Sequence, residues 1–276
     1  MPVYGNAERL TSLVSRIIAP NPGPMTGEGT NTYLVGEREL AVIDPGPDIP
    51  EHIDALLKSG QERIRWILCT HTHPDHSPAA ALLKEKTGAK VVGAFANDGL
   101  HQDASFSPDL EINHDEIIHG DGWDLRAIWT PGHVSNHYCY LLEQEGIIFA
   151  GDHIMNGSTV VIVPPGGDMT DYINSLRRLL YYDVKQIAPG HGDLIPDCRA
   201  EVDKLVAHRL GREKKVLAGL EKISPADLDE LVVIVYSDVD SSLHEWAKLS
   251  MAAHLIKLER EGYAFMDKED RWVFKR

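Results

Sequence analysis

The segment His71-Thr72-His73-Pro74-Asp75-His76 constrains this chain most, because it crowds ligand-type side chains directly behind an apolar strand, Ile67-Leu68-Cys69. Such a run leaves a strand end and enters a loop open to solvent. In extended backbone, residues two apart point the same way, so His71 and His73 can reach one cation together. Pro74 then turns the chain and lets Asp75 and His76 face a second cation beside the first.

Three further strand ends carry what that loop lacks: Thr130-Pro131-Gly132-His133, Ala150-Gly151-Asp152 and Ala188-Pro189-Gly190-His191. Each sets one ligand beside a glycine, which permits the close or left-handed backbone such a loop needs. The expected set is His71, His73 and His133 on one ion, Asp75, His76 and His191 on the other, and Asp152 bridging both together with a hydroxide. Two divalent ions are implied; zinc suits these ligands best, with iron or manganese as alternatives. A lone histidine is usually structural, but ligand types gathered at four strand ends mark a metal site.

Behind these ligands, Asp44 and Thr70 are candidates to hold the imidazoles, since a ligating histidine normally gives its other N–H to a carboxylate or carbonyl. Asp44 reads equally well as a turn former before Pro45-Gly46. Asn31 and His137 are candidates to line the pocket, with capping the alternative for His137. His153, next to Asp152, should point to the opposite side in extended backbone. His52, His101, His114, His119, His208, His244 and His254 lack ligand spacing and read as exposed or capping groups. The Pro- and Gly-rich stretch 20–29 reads as a lid or a wall.

Short β-rich runs at 32–35, 40–43, 64–69, 90–95, 125–129, 138–142, 146–149 and 186–188 alternate in part with helical patterns at 50–60, 77–87 and 170–181, the last capped by Thr170 or Asp171. The pattern is mixed α/β. From about Glu201 it changes to helices over 201–222, 225–236 and 241–261, with Ser224, Ser241 or Ser242 as caps, followed by a hairpin over 263–274. Helix, helix, helix, hairpin is the order of a winged helix, so two domains are expected, 1–200 and 201–276.

The formal charge of −15 speaks against a broad nucleic-acid-binding face. The tail carries 13 Lys and Arg against 15 Asp and Glu, so it reads as a small domain packed beside the first rather than a DNA reader. Cys69, Cys139 and Cys198 are odd in number and widely spaced, which points to a reducing compartment rather than disulfides. The N-terminus shows no signal pattern and no apolar run suits a bilayer span, so the expectation is a cytoplasmic protein without membrane contact.

Taken together, HTHPDH, TPGH, AGD and PGH resemble the metallo-β-lactamase superfamily, and Gly29-Thr30-Asn31-Thr32-Tyr33 and Ile43-Asp44-Pro45-Gly46 match its early strands. The resemblance covers about residues 10–200 and implies an αββα sandwich with metals at one edge between two sheets. His208-Arg209, Arg212-Glu213 and Ala253-His254-Leu255-Ile256-Lys257-Leu258 resemble the winged-helix tail of the lactamase-β-like branch, which includes a mitochondrial endoribonuclease and acyl-carrier-protein thioesterases of fungal polyketide pathways.

The chemistry implied is hydrolysis: water shared by two cations loses a proton near neutral pH and attacks a carbonyl or phosphorus, with Asp75 as proton shuttle. An antibiotic lactamase is disfavoured, because those members usually lack an Asp at the position of Asp152. A glyoxalase-II-like thioesterase shares the ligand set but ends in helices without a wing. A flavodiiron-type electron carrier would need a Glu in the first loop and a flavodoxin domain, and a metal-sensing regulator would not need an intact hydrolytic site. Two substrates remain, a small thioester or related acyl compound and single-stranded RNA. Residues 1–200 hold 14 Lys and Arg against 27 Asp and Glu, which favours the small molecule. Arg177, Arg178, Lys185, Arg209, Arg212, Lys214 and Lys215 would have to form any local basic groove; their other reading is a solvated helix face.

Overall fold

The computed structural model describes residues 3–96 and 101–276. Its first sheet runs in chain order: β1 (Glu8–Arg9), β2 (Val14–Ile18), β3 (Asn31–Val35), β4 (Leu40–Ile43), β5 (Ile64–Leu68), β6 (Lys90–Gly93) and β7 (Leu110–Glu111). Pairing is antiparallel from β1 to β4 and parallel from β4 to β7. Parallel neighbours need a crossover. Helices α1 (Pro50–Gly60) and α2 (Ala79–Thr87) supply the first two. The second sheet joins β8 (Ile117–Gly120), β9 (Trp123–Trp129), β10 (Tyr138–Leu142), β11 (Ile147–Gly151) and β12 (Gln186–Pro189) in the order β12-β11-β10-β9-β8. Only its β11–β12 pair is parallel, and α3 (Met169–Arg178) makes that crossover.

Both faces of each sheet are covered, and strand periodicity shows how. Along β10, Tyr138, Tyr140 and Leu142 enter the core between the sheets with Tyr33, Ile43, Leu68 and Phe149, whereas Cys139 and Leu141 face α3 with Tyr172 and Leu176. On the far side, Leu34, Val42 and Ile67 of the first sheet pack against Leu56 of α1 and Leu83 of α2. The result is a four-layer αββα sandwich. The chain then forms α4 (Cys198–Ile223), α5 (Leu228–Val235), α6 (His244–Arg260) and the hairpin β13 (Ala264–Met266) with β14 (Trp272–Phe274). This winged helix has its own core of Val216, Leu220, Leu231, Val235, Met251, Leu255 and Trp272. The expected boundary at 200/201 falls inside α4, whose front half (Val202, Leu205) belongs to the core of the second sheet and whose back half belongs to the winged helix.

Helix starts differ from the sequence expectation in a consistent way. Asp168, not Thr170 or Asp171, caps α3; Asp227 and Glu230 form a capping box on α5 in place of a Ser224 cap; and Asp240, not Ser241 or Ser242, caps the short turn leading into α6. A carboxylate accepts the unpaired first-turn N–H groups and complements the positive end of the helix dipole. All three cysteines are free and buried. Among the described residues, no helix is long and apolar enough to cross a membrane.

Candidate metal centre

The C-terminal ends of β4 and β5 meet those of β9, β11 and β12 at one edge of the sandwich. There the sheets are laced together by the main chain: Tyr138 N donates to Thr70 O at 2.8 Å and Asn31 N to Gly190 O at 2.8 Å. The seven expected ligands converge at this edge in two groups, His71, His73, His133 and Asp152, and Asp75, His76 and His191. In the first, His73 Nδ1 lies 3.0 Å from His71 Nε2 and 3.1 Å from His133 Nε2. Nitrogens bound tetrahedrally to one zinc at about 2.0–2.1 Å would lie roughly 3.3 Å apart, so this spacing suits a shared cation. In the second, Asp75 Oδ2 lies 3.4 Å from His76 Nε2 and 3.2 Å from His191 Nε2. Asp152 stands between the groups, its Oδ1 3.3 Å from both His76 Nε2 and His191 Nε2 and its Oδ2 3.8 Å from His133 Nε2.

The far ring nitrogens explain these orientations. His71 Nδ1 donates to Thr70 Oγ1 at 3.0 Å, and that hydroxyl donates to Asp44 Oδ2 at 2.8 Å. His76 Nδ1 donates to Asp44 Oδ2 at 2.9 Å, His133 Nδ1 to Val161 O at 3.0 Å and His191 Nδ1 to Gly29 O at 3.2 Å. Each Nε2 is thereby turned inward, while His73 presents Nδ1. Asp44, held in the left-handed region at φ 51°, also accepts from Thr70 N at 2.7 Å, so one carboxylate aligns the strand end as well as a ring.

The electrostatics fit a cation. Burial, reinforced by the imidazoles of His76 and His73, holds His71 well below its ordinary value, and burial with His133 brings His73 down to about 3. Burial also lowers His133, against the pull of Asp152. These rings are neutral, as ligands must be. In the second group burial also works against the charged form, but the Asp75, Asp152 and Asp44 carboxylates outweigh it and raise His76 well above its usual range. Asp152 and Asp75 likewise push His191 up to about 10. Carboxylates this deeply set demand positive charge, which protons or metal ions can supply. His76 Nε2 and Asp152 Oδ1 are buried without a hydrogen-bond partner, an expensive arrangement unless a cation completes it.

The remaining expectations divide. Asn31 is buried and its Nδ2 donates to Pro189 O at 3.0 Å and Gly192 O at 2.8 Å, so it braces the loop of His191 rather than lining an open pocket. His137 is buried behind His71, with ring centroids 5.1 Å apart, and contacts Thr130 Oγ1 through Nδ1 at 2.9 Å. His153 packs on Tyr172 beneath the site. His52 and His254 are buried rather than exposed, and Arg209 is a buried residue rather than part of a solvated face. Sequence reasoning missed Thr30, whose Oγ1 donates to Asp75 Oδ2 at 3.2 Å; its place between Gly29 and Asn31 at the head of β3 was the available signal.

A strand-edge cluster of five imidazoles and two carboxylates in this sandwich agrees with the family comparisons: the metallo-beta-lactamase superfamily profile matches residues 25–191, and that of the beta-lactamase associated winged helix domain matches residues 228–272. The chain belongs to the metallo-β-lactamase superfamily. It is a metal-dependent hydrolase of that superfamily with the associated winged helix behind it. The beta-lactamase-like protein 2 homolog of Drosophila melanogaster is 32% identical over 269 residues, covering 92% of this chain and 90% of the fly protein. The lactamase-like protein nscB of Arthroderma benhamiae is 32% identical over 226 residues, 80% of this chain but 49% of the fungal protein, so the match spans about half of that relative. Among solved structures, a metallo-beta-lactamase family protein from Thermus thermophilus shares the fold at TM-score 0.79 and 24% identity, over 97% of this chain and 100% of that one. A beta-lactamase domain protein from Burkholderia ambifaria does so at 0.83 and 18%, over 100% and 95%.

Proposed function

We propose that this superfamily member is a binuclear hydrolase of a small thioester or related acyl compound, working in the cytoplasm. The observation that carries the two-metal part is the position of Asp152, whose two oxygens face the two ligand groups separately. His71, His73 and His133 would hold one cation, Asp75, His76 and His191 the other, and Asp152 both. Divalent cations there, zinc being the best match to a nitrogen-rich set with carboxylates, would supply Lewis-acid polarisation of the acyl oxygen and acidify water enough for attack near neutral pH.

The protein's own share is orientation and proton transfer. The contacts of Asp75 to His76, His191 and Thr30 all engage Oδ2. Oδ1 is therefore the oxygen for moving a proton: it takes one from the attacking water and delivers it to the departing thiolate as the carbon–sulfur bond breaks, giving an acid and a thiol.

The engagement of four of the seven cations that RNA binding would need supports the small substrate. Arg209 is buried on Val160 O, Arg212 and Lys215 both pair with Asp238, and Arg178 donates to Trp129 O. Four of the seven candidate cations are thus committed to partners within the protein, Arg209 in the interior and the others nearer the surface, and the net acidic chain around them disfavours a phosphate backbone. The test is a panel of short acyl thioesters, read by thiol release, beside a labelled single-stranded RNA. Thioester turnover that chelator abolishes and zinc restores is the expected result; chelator-sensitive RNA cleavage without thioester turnover would overturn the substrate class.

A further inference from the structure

The segment that leads from Asp152 to α3 is held from the side of the winged helix. Arg209 of α4 donates through Nη2 to Val160 O at 2.6 Å, with its guanidinium 5.0 Å from the centre of the Tyr172 ring. Ser250 of α6 accepts from Ile162 N at 3.2 Å. Between these two fixed points lies Val161, whose carbonyl accepts from His133 Nδ1 at 3.0 Å. Arg260 of α6 pairs with Asp168 at the far end of the same segment, and Asp168 N in turn donates to Gly132 O, beside His133, at 2.8 Å.

We propose that Arg209 and Ser250 are positioning residues for the three-imidazole group: they clamp Val160 and Ile162 and so fix the carbonyl that aims His133. The inference rests on the reading that His71, His73 and His133 hold a cation. The acceptor of a ligand's outer N–H sets ring orientation and basicity, and losing such a partner typically weakens metal binding roughly 10- to 100-fold. Here that partner is a main-chain carbonyl. Side chains act on it only by holding its neighbours, and both holds come from the tail. Arg209 also depends on a planar group stacked on Tyr172, which a lysine would not reproduce.

The test is a cobalt titration of the full-length protein followed by visible absorption, with His133→Ala identifying the step that belongs to the three-imidazole group. Arg209→Met and Ser250→Ala should each weaken that step about tenfold and leave the other step unchanged, and Ser250→Thr, which keeps the hydroxyl, should bind as wild type does. Should Arg209→Met fail to fold, Ser250→Ala, which removes a single oxygen, decides. Wild-type affinities for both ions in the variants would overturn the clamp while leaving the two-metal reading intact. A wild-type protein that takes up no cobalt would instead overturn the metal reading and the clamp with it.

Discussion

Gly132 runs directly against Tyr172: a Cβ built at Gly132 would lie 2.3 Å from the Tyr172 Cα, and its backbone sits at φ +139°. Only glycine lets the loop of His133 settle on the first turn of α3. Gly132→Ala should therefore destabilise the fold by about 3 kcal/mol, combining overpacking with backbone strain. Urea unfolding measures this, and the same variant should lose affinity at the group containing His133.

Asp44→Asn keeps the size of the side chain, and asparagine tolerates the left-handed backbone at this position. It removes the charge that faces His76 Nδ1. Cation affinity at the Asp75, His76 and His191 group, where the contact is direct, should fall roughly 10- to 100-fold, and affinity at the group of His71, held through Thr70, should fall by less, as judged by calorimetric zinc titration.

Asp152→Asn tests the bridge. Metal content of the purified variant, measured by elemental analysis, should drop from two equivalents to one or fewer, and hydrolysis should fall by about 100-fold or more. An active variant with two equivalents would show that Asp152 does not hold both groups.

His52 gives the fold a pH dependence that can be separated from the ligands. Its ring is buried against Thr32, and burial lowers it from 6.5 to about 4. A depressed histidine leaves stability intact above its unfolded value and removes it as protons bind the unfolded chain. The contribution is therefore fully present above pH 6.5 and lost progressively toward pH 4, amounting to about 3 kcal/mol. Chemical unfolding of wild type and His52→Gln at pH 7, 5.5 and 4 should show the difference between them changing by that amount across this range.

What could be read in the sequence was what local pattern encodes. The extended run that continues past the end of β5 brings His71 and His73 to one cation group, and apolar runs followed by glycine locate the other ligand loops. The strand β2 escaped notice because Arg16 interrupts Val14–Ile18, although its guanidinium is buried and paired with Glu8 and Asp193. Arg209 and His52 escaped for another reason. Their partners, Val160 and Thr32, are 49 and 20 residues away, beyond the reach of periodicity. Least visible were the carbonyls of Val161 and Gly29, since every residue carries a carbonyl and only the fold chooses which of them aims a ligand.

Helix α4 buries its front half beneath the second sheet and its back half in the winged helix, and Ala253 of α6 joins the same core under that sheet. The two halves therefore share a beam rather than a hinge. Cutting the chain near residue 200 would strip Val202 and Leu205 from the sandwich and expose the apolar floor on which the His133 loop rests. Heat should melt the intact molecule in a single cooperative transition. A descendant of this chain could not exchange its tail for another module unless the replacement brought a helix of the same apolar face.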